Sequence, residues 1–245
     1  MDNNNRGDIR INGSGSAGGG TYNSVVVKGS GRIGGDLKCE VFSIGGTGTV
    51  EGNLEVADGK INGTGTIEGD LKAGKFKING SGRIAGSVSG KDFAVSGSGS
   101  IGKSVDVQSM KIEGSAKIGQ DCTAEVFTSD GAIEIGGLLN AGEVSIRLLG
   151  LKSKAREIGG EKISVTVGLT HGLAVIKSIM TIGIFNPALE AEIIEGDEIM
   201  LENTAAKIVR GNNVMIGAGC DIGTVEYKNS FVKNGDARVG TETKV

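Results

Sequence analysis

One phrase recurs seven times at a fixed interval of seventeen residues, and it dictates what this chain can fold into. It centres on Gly29, Gly46, Gly63, Gly80, Gly97, Gly114 and Gly131. Two residues before each glycine stand Val27, Ile44, Ile61, Ile78, Val95, Ile112 and Ser129. Four residues after it stand Ile33, Val50, Ile67, Ile84, Ile101, Ile118 and Ile135. Eight after it stand Leu37, Leu54, Leu71, Val88, Val105, Cys122 and Leu139. The inward positions come in pairs two apart, at minus four and minus two, plus two and plus four, plus eight and plus ten. A spacing of two puts both side chains on one face of a strand. Three short strands per repeat, each with one buried face, describe a triangular coil. Such a coil cannot bury its own apolar face, so successive coils stack and pair in parallel, about 4.8 Å apart.

The corners fall at glycines. Asn62-Gly63 and Asn79-Gly80 mark one, where a tolerance for positive φ is the expected reason for these residues. Glu51-Gly52-Asn53 and Glu68-Gly69-Asp70 mark a second. Glycine is 45 of 245 residues, a content that elsewhere signals low complexity. Here the glycines keep register with the apolar columns, so an ordered, all-β solenoid is the reading. Asp36, Asn53, Asp70, Ser87, Ser104 and Asp121 form a column that invites a calcium ladder, but their mixed chemistry fits a turn bonding its own backbone. The net charge of −3 gives no support to a nucleic-acid partner. Cys39, Cys122 and Cys220 match no zinc-ligand spacing and read as small core residues in a reducing compartment.

Along the chain, residues 1–8 read as a polar tail without a secretory signal. Coils run from 9 to 150, the first one residue short of the period and weakened at Gly18-Gly19-Gly20. Residues 151–192 read as an irregular insertion. Lys152, Lys154 and Arg156 suit a solvated loop, and the most apolar stretch of the chain follows. Leu173, Val175, Ile176, Ile179, Met180, Ile184 and Phe185 lie in it, with Pro187 near its end. Three readings stay open for this stretch: a membrane span, an amphipathic segment on the solenoid's flank or on a membrane, and further strands. Ile163-Ser164-Val165-Thr166-Val167 alternates as a strand does. Coils resume over 193–230, with Ile199 and Ile216, Ala205 and Ile222, and Ile208 and Val225 each seventeen apart. Residues 231–245 read as a frayed polar tail.

Three phrases carry a family resemblance: Val27–Leu37 (VKGSGRIGGDL), Ile61–Leu71 (INGTGTIEGDL) and Ile78–Val88 (INGSGRIAGSV). They resemble the bactofilins, polymer-forming bacterial cytoskeletal proteins. Ile194–Ile199 and Val209–Val214 are similar to the longer bactofilin-like proteins of Gram-positive bacteria. The resemblance implies a right-handed triangular β-helix that polymerises end to end into filaments without nucleotide. It also implies a scaffold for cell shape, envelope or motility structures, often at the membrane. The chain departs from many bactofilins in its interruption and in lacking a short apolar motif among its first residues.

An open β-helix end is a template for another copy unless something covers it. The residues expected to form the joint are Ile9, Ile11, Val25 and Val27 at one end, and Ile199, Ile216, Ile222 and Val225 at the other. The expected partner is a second copy of the chain, with a membrane surface or membrane-associated proteins as further partners if 173–185 contacts lipid. The expected location is the cytoplasm, in association with the membrane in that case. No cofactor, metal or catalytic residue is expected. The competing reading is a trimeric acyltransferase of the hexapeptide-repeat kind, which generally uses a histidine base. The sole histidine, His171, falls in the insertion and not on a coil.

Overall fold

The computed structural model describes residues 6–149, 151–168 and 189–245. Every regular element among them is a strand. The chain forms two compact units, Met1–Gln120 and Asp121–Val245. Each is a parallel β-solenoid.

The first unit opens with β1 (Asp8–Ile11), β2 (Ser14–Val27) and β3 (Ser30–Ile44). Short and long strands then alternate: β4 (Thr47–Val50), β5 (Leu54–Ile61), β6 (Thr64–Ile67), β7 (Leu71–Ile78), β8 (Ser81–Ile84), β9 (Val88–Val95), β10 (Ser98–Ile101), β11 (Val105–Ile112) and β12 (Ser115–Ile118). Each long strand carries two buried pairs with a change of phase between them. In β5, Leu54 and Val56 are buried, Ala57 and Asp58 are exposed, and Gly59 and Ile61 are buried again. With the short strand this makes three buried pairs per coil, as the periodicity predicts. The register stacks like on like: Leu37 on Leu54, Leu54 on Leu71, and Leu71 on Val88. The first coil is one residue short, since Ile9 pairs with Val25. Gly18–Gly20 sits inside β2 at a register shift instead of forming a loose section.

The corner glycines do a different job from the one expected of them. None of Gly46, Gly63, Gly80 or Gly97 has a positive φ. A Cβ on Gly63 would instead collide with the carbonyl oxygen of Gly46 one coil away, and Gly80 stands in the same relation to Gly63. Close approach of backbones between coils is what excludes a side chain there. At the second corner the polar side chains brace the next coil rather than their own turn. Asp36 Oδ1 accepts the Asn53 N–H at 2.8 Å, Asn53 Oδ1 accepts the Asp70 N–H at 2.8 Å, and Asp70 Oδ1 accepts the Ser87 N–H at 2.8 Å. These oxygens are occupied by backbone donors, which accounts for the column without calcium.

Aromatic packing exploits one gap in the repeat. Gly59 stands where its neighbours in the column have Phe42 and Phe76. The two rings close over it to 6.4 Å between centroids, and Phe76 stacks on Phe93 at 6.0 Å.

The second unit comprises β13 (Cys122–Asp130), β14 (Ala132–Leu148), β15 (Ser153–Val167), β16 (Leu189–Leu201), β17 (Thr204–Ile216), β18 (Asp221–Lys233) and β19 (Arg238–Lys244). Three expectations are corrected here. Part of the stretch read as irregular insertion, 153–167, is a full strand paired with β14 and β16. The stretch read as a frayed tail holds the end of β18, where Phe231, Val232 and Lys233 pair with Val214, Met215 and Ile216 of β17, and all of β19, which pairs with Asp221–Tyr227 of β18. The seventeen-residue matches do not set the register either. Ile199 pairs with Val214, Ile216 with Leu201, Ile222 with Ala206, and Val225 with Val209. Between β16 and β17 the cause is a shortened corner of only Glu202 and Asn203, and β17 pairs with β18 sixteen apart until the register shifts between Gly211 and Asn213. Asn203 takes a positive φ of 44° to make the tight turn, and Thr204 Oγ1 donates to the Glu202 carbonyl at 2.9 Å.

Candidate assembly surfaces

Two features of a solenoid can recruit another molecule: a coil with a neighbour on one side only, and the outward faces of the stacked strands. Among the described residues β1 pairs only with β2, and β19 only with β18. Ile9 and Ile11 occupy inward columns yet are only half-buried, whereas Val25 and Val27, which they stack on, are fully buried. The first coil therefore shows a slice of the core. Around it, Asp8 Oδ1 accepts the Ser24 N–H at 3.1 Å, and Arg6 lies 3.5 Å from Glu40, so the edge that carries the apolar pair is held in place.

The other residues named from the sequence lie deeper. Ile199, Ile216, Ile222 and Val225 are all buried, each between coils on both sides. At the far edge the inward columns pass to Val239, half-buried, and to Glu242, which pairs with Val225 and is exposed. These two positions lie seventeen residues after Ile222 and Val225, but the polar composition around them reads as a tail. Leu173, Val175, Ile176, Ile179, Met180, Ile184, Phe185 and His171 lie outside the described residues.

The outward faces carry little that could do chemistry. Cys39 and Cys122 are buried thiols, and burial pushes both up to about 12, further raised for Cys39 by Glu40. Burial also raises Cys220. Such thiols are poor nucleophiles at neutral pH. No group of three or more His, Cys, Asp or Glu side chains among the described residues is placed to hold a metal. A glycine-floored groove in the second unit is rimmed by Arg210, whose Nε donates to Glu226 Oε2 at 2.6 Å, so its most prominent cation already has a partner. Among the described residues no helix is long and apolar enough to cross a membrane.

Comparison with known proteins agrees with the stacked-coil geometry. Residues 2–89 match the family model for bactofilin, described as polymer-forming cytoskeletal. The chain is 61% identical over 235 residues to the uncharacterised protein YhbE of Bacillus subtilis (strain 168), covering 96% of this chain and 97% of that one. It is 37% identical over 109 residues to YhbF of the same strain, also uncharacterised, covering 44% of this chain and 42% of that one. No solved structure matches it.

Proposed function

The chain belongs to the bactofilin family of polymer-forming cytoskeletal proteins, and on that premise we propose that it is a scaffold whose copies join end to end by continuing the β-solenoid. The family is described as polymer-forming and cytoskeletal, which supports a scaffold over the acyltransferase reading. The observation that carries the end-to-end joint is the half-exposed pair Ile9 and Ile11 on a strand with one pairing partner. Docking a second first coil against it completes the backbone ladder and buries what remains exposed of both isoleucines, worth on the order of 1 kcal/mol each because they are already half-covered. Joining needs no nucleotide, because the contact is made of backbone hydrogen bonds and aliphatic side chains. The filament serves cell shape, envelope or motility structures in the cytoplasm, with itself as first partner.

Purified protein, free of nucleotide and metal, is imaged by negative-stain electron microscopy over a range of concentrations. Filaments in the wild type, and their loss in an Ile9→Asp, Ile11→Asp variant whose circular dichroism stays β-rich, are the expected results. Discrete trimers, or filaments unaffected by the substitutions, contradict the end-to-end joint.

A further inference from the structure

The first and last coils finish their inward columns in opposite ways. Next to Val25 and Val27 the columns end in Ile9 and Ile11, and next to Gly31, Ile33 and Cys39 they end in Gly15, Ala17 and Tyr22. None of these end residues is charged. At the other edge three inward columns end in a charge. Lys233 follows Ile216, Glu242 follows Val225 and Lys244 follows Tyr227, and all three are exposed. Two further columns end in Phe231 and Val239, each half-buried. Inward-facing charges keep a strand edge from pairing with another chain. As it stands, the last coil is therefore closed to a partner. A chain with one open edge joins one other copy and stops there.

The strand that carries two of these charges is held lightly. Among the described residues β19 pairs with β18 alone, and Val239 is its only residue that is even half-buried. The connection before it buries Ala237. The Arg238 N–H donates to the Cys220 carbonyl at 2.9 Å, and the Val245 N–H to the Tyr227 carbonyl at 2.9 Å. The Arg238–Asp221 ion pair, 3.2 Å long, is exposed on both sides and worth little. Next to β19, by contrast, Cys220, Ile222 and Val225 are fully buried. Lifting β19 would leave Ile222 and Val225 with a coil on one side only, which is the condition of Ile9 and Ile11 in the first coil. Glu242 and Lys244 would leave with it. Of the three charges only Lys233, at the end of β18, would stay.

We propose that β19 is a displaceable cap over a second joint, and that the surface it covers, centred on Ile222, Val225 and Tyr227, takes another copy of this chain. The proposal rests on the end-to-end reading and adds what that reading needs, since a filament grows only if both edges can join. The occupant follows from the chemistry of the uncovered edge. It offers a row of unpaired backbone N–H and C=O groups beside an aliphatic strip, and the surface that matches both is the edge of another solenoid coil. Copies already joined through their first coils present only capped last coils. Lengthening therefore waits on β19, and the share of uncapped edges sets how fast filaments grow.

The test locks the cap. Thr224 and Thr241 are partners across β18 and β19, and neither is buried. Strands about 4.8 Å apart lie within the span of a disulfide, so Thr224→Cys with Thr241→Cys can join the two. Cys39, Cys122 and Cys220 are buried and stay out of the reaction. Oxidised and reduced full-length protein are compared by negative-stain electron microscopy and sedimentation. Two-chain particles in the oxidised sample, converting to filaments when reductant is added, are the expected result. Filaments in both samples, or two-chain particles in both, overturn the cap and leave the first-coil joint standing. Single chains in the oxidised sample overturn that joint and the proposal with it. Amide exchange on the wild type gives a second readout. β19 exchanges at least about tenfold faster than the β17–β18 ladder, because a strand with one partner opens locally. Equal rates mean that β19 does not lift by itself, and overturn the proposal.

Discussion

The two units solve the same packing problem by different means. From Leu37 to Ile112 the first unit repeats every seventeen residues, so each aliphatic residue meets its own kind one coil on. The second unit keeps the buried columns but holds the period throughout only between β13 and β14 and between β18 and β19. Its register steps from Leu189 to Thr204 across a two-residue corner, and shifts again between Gly211 and Asn213. Its outward stripe of Met200, Met215 and Val232 has no counterpart in the first unit. A solenoid thus needs the alternation of buried and exposed positions on each face, while the corners absorb changes in length. Regularity in the first unit comes from corners where coil backbones touch.

If backbone contact enforces the period, substitutions at corner glycines should separate the units. Gly63→Ala forces a Cβ onto the Gly46 carbonyl and is expected to cost about 2–3 kcal/mol by urea denaturation. Gly142→Ala in the second unit meets the Glu125 carbonyl at 3.1 Å, close enough to need only a small shift, and is expected to cost less than about 1 kcal/mol. Equal losses would break the comparison. A smaller effect of opposite sign is expected at Ser129. It replaces an aliphatic residue in the minus-two column, is fully buried, and its hydroxyl finds no hydrogen-bond partner. Ser129→Val should raise stability by about 1 kcal/mol, measured the same way.

The smallest effect is electrostatic and should not distinguish the units. Hydrogen bonds from Lys38 to Glu55, from Lys111 and Ser96 to Glu113, and from Lys207 to Glu192 hold these carboxyls below the ordinary carboxylate range. A carboxyl depressed in the folded state contributes stability above its unfolded pKa and loses it as pH falls through the folded value. All three are at the surface, so thermal melts from pH 6 down to pH 3 should show a slight loss in both units, abolished by high salt.

The sequence exposes the first unit almost completely, because a repeat in register with its core columns leaves one way to stack Ile44, Ile61 and Ile78. It exposes the second unit poorly, for a physical reason. Once a corner shrinks to Glu202–Asn203, residues seventeen apart no longer share a column, and the match of Ile199 with Ile216 is a coincidence of composition. β19 was hidden because Arg238, Thr241, Glu242 and Lys244 look like a tail. Their strand is held by pairing with β18 along one side and little burial. Of the residues expected at the joint, Ile9 and Ile11 were legible as candidates because they continue the inward columns to the first strand. Burial on both sides separates them from the other six, and only three-dimensional stacking reveals that.

The most direct measurement of the central claim is fibre diffraction from aligned filaments. Copies joined end to end keep every strand across the filament axis, so the spacing between coils appears as a strong reflection at about 4.8 Å along that axis. A reflection of that spacing perpendicular to the axis would mean that copies associate side by side, and would contradict the account.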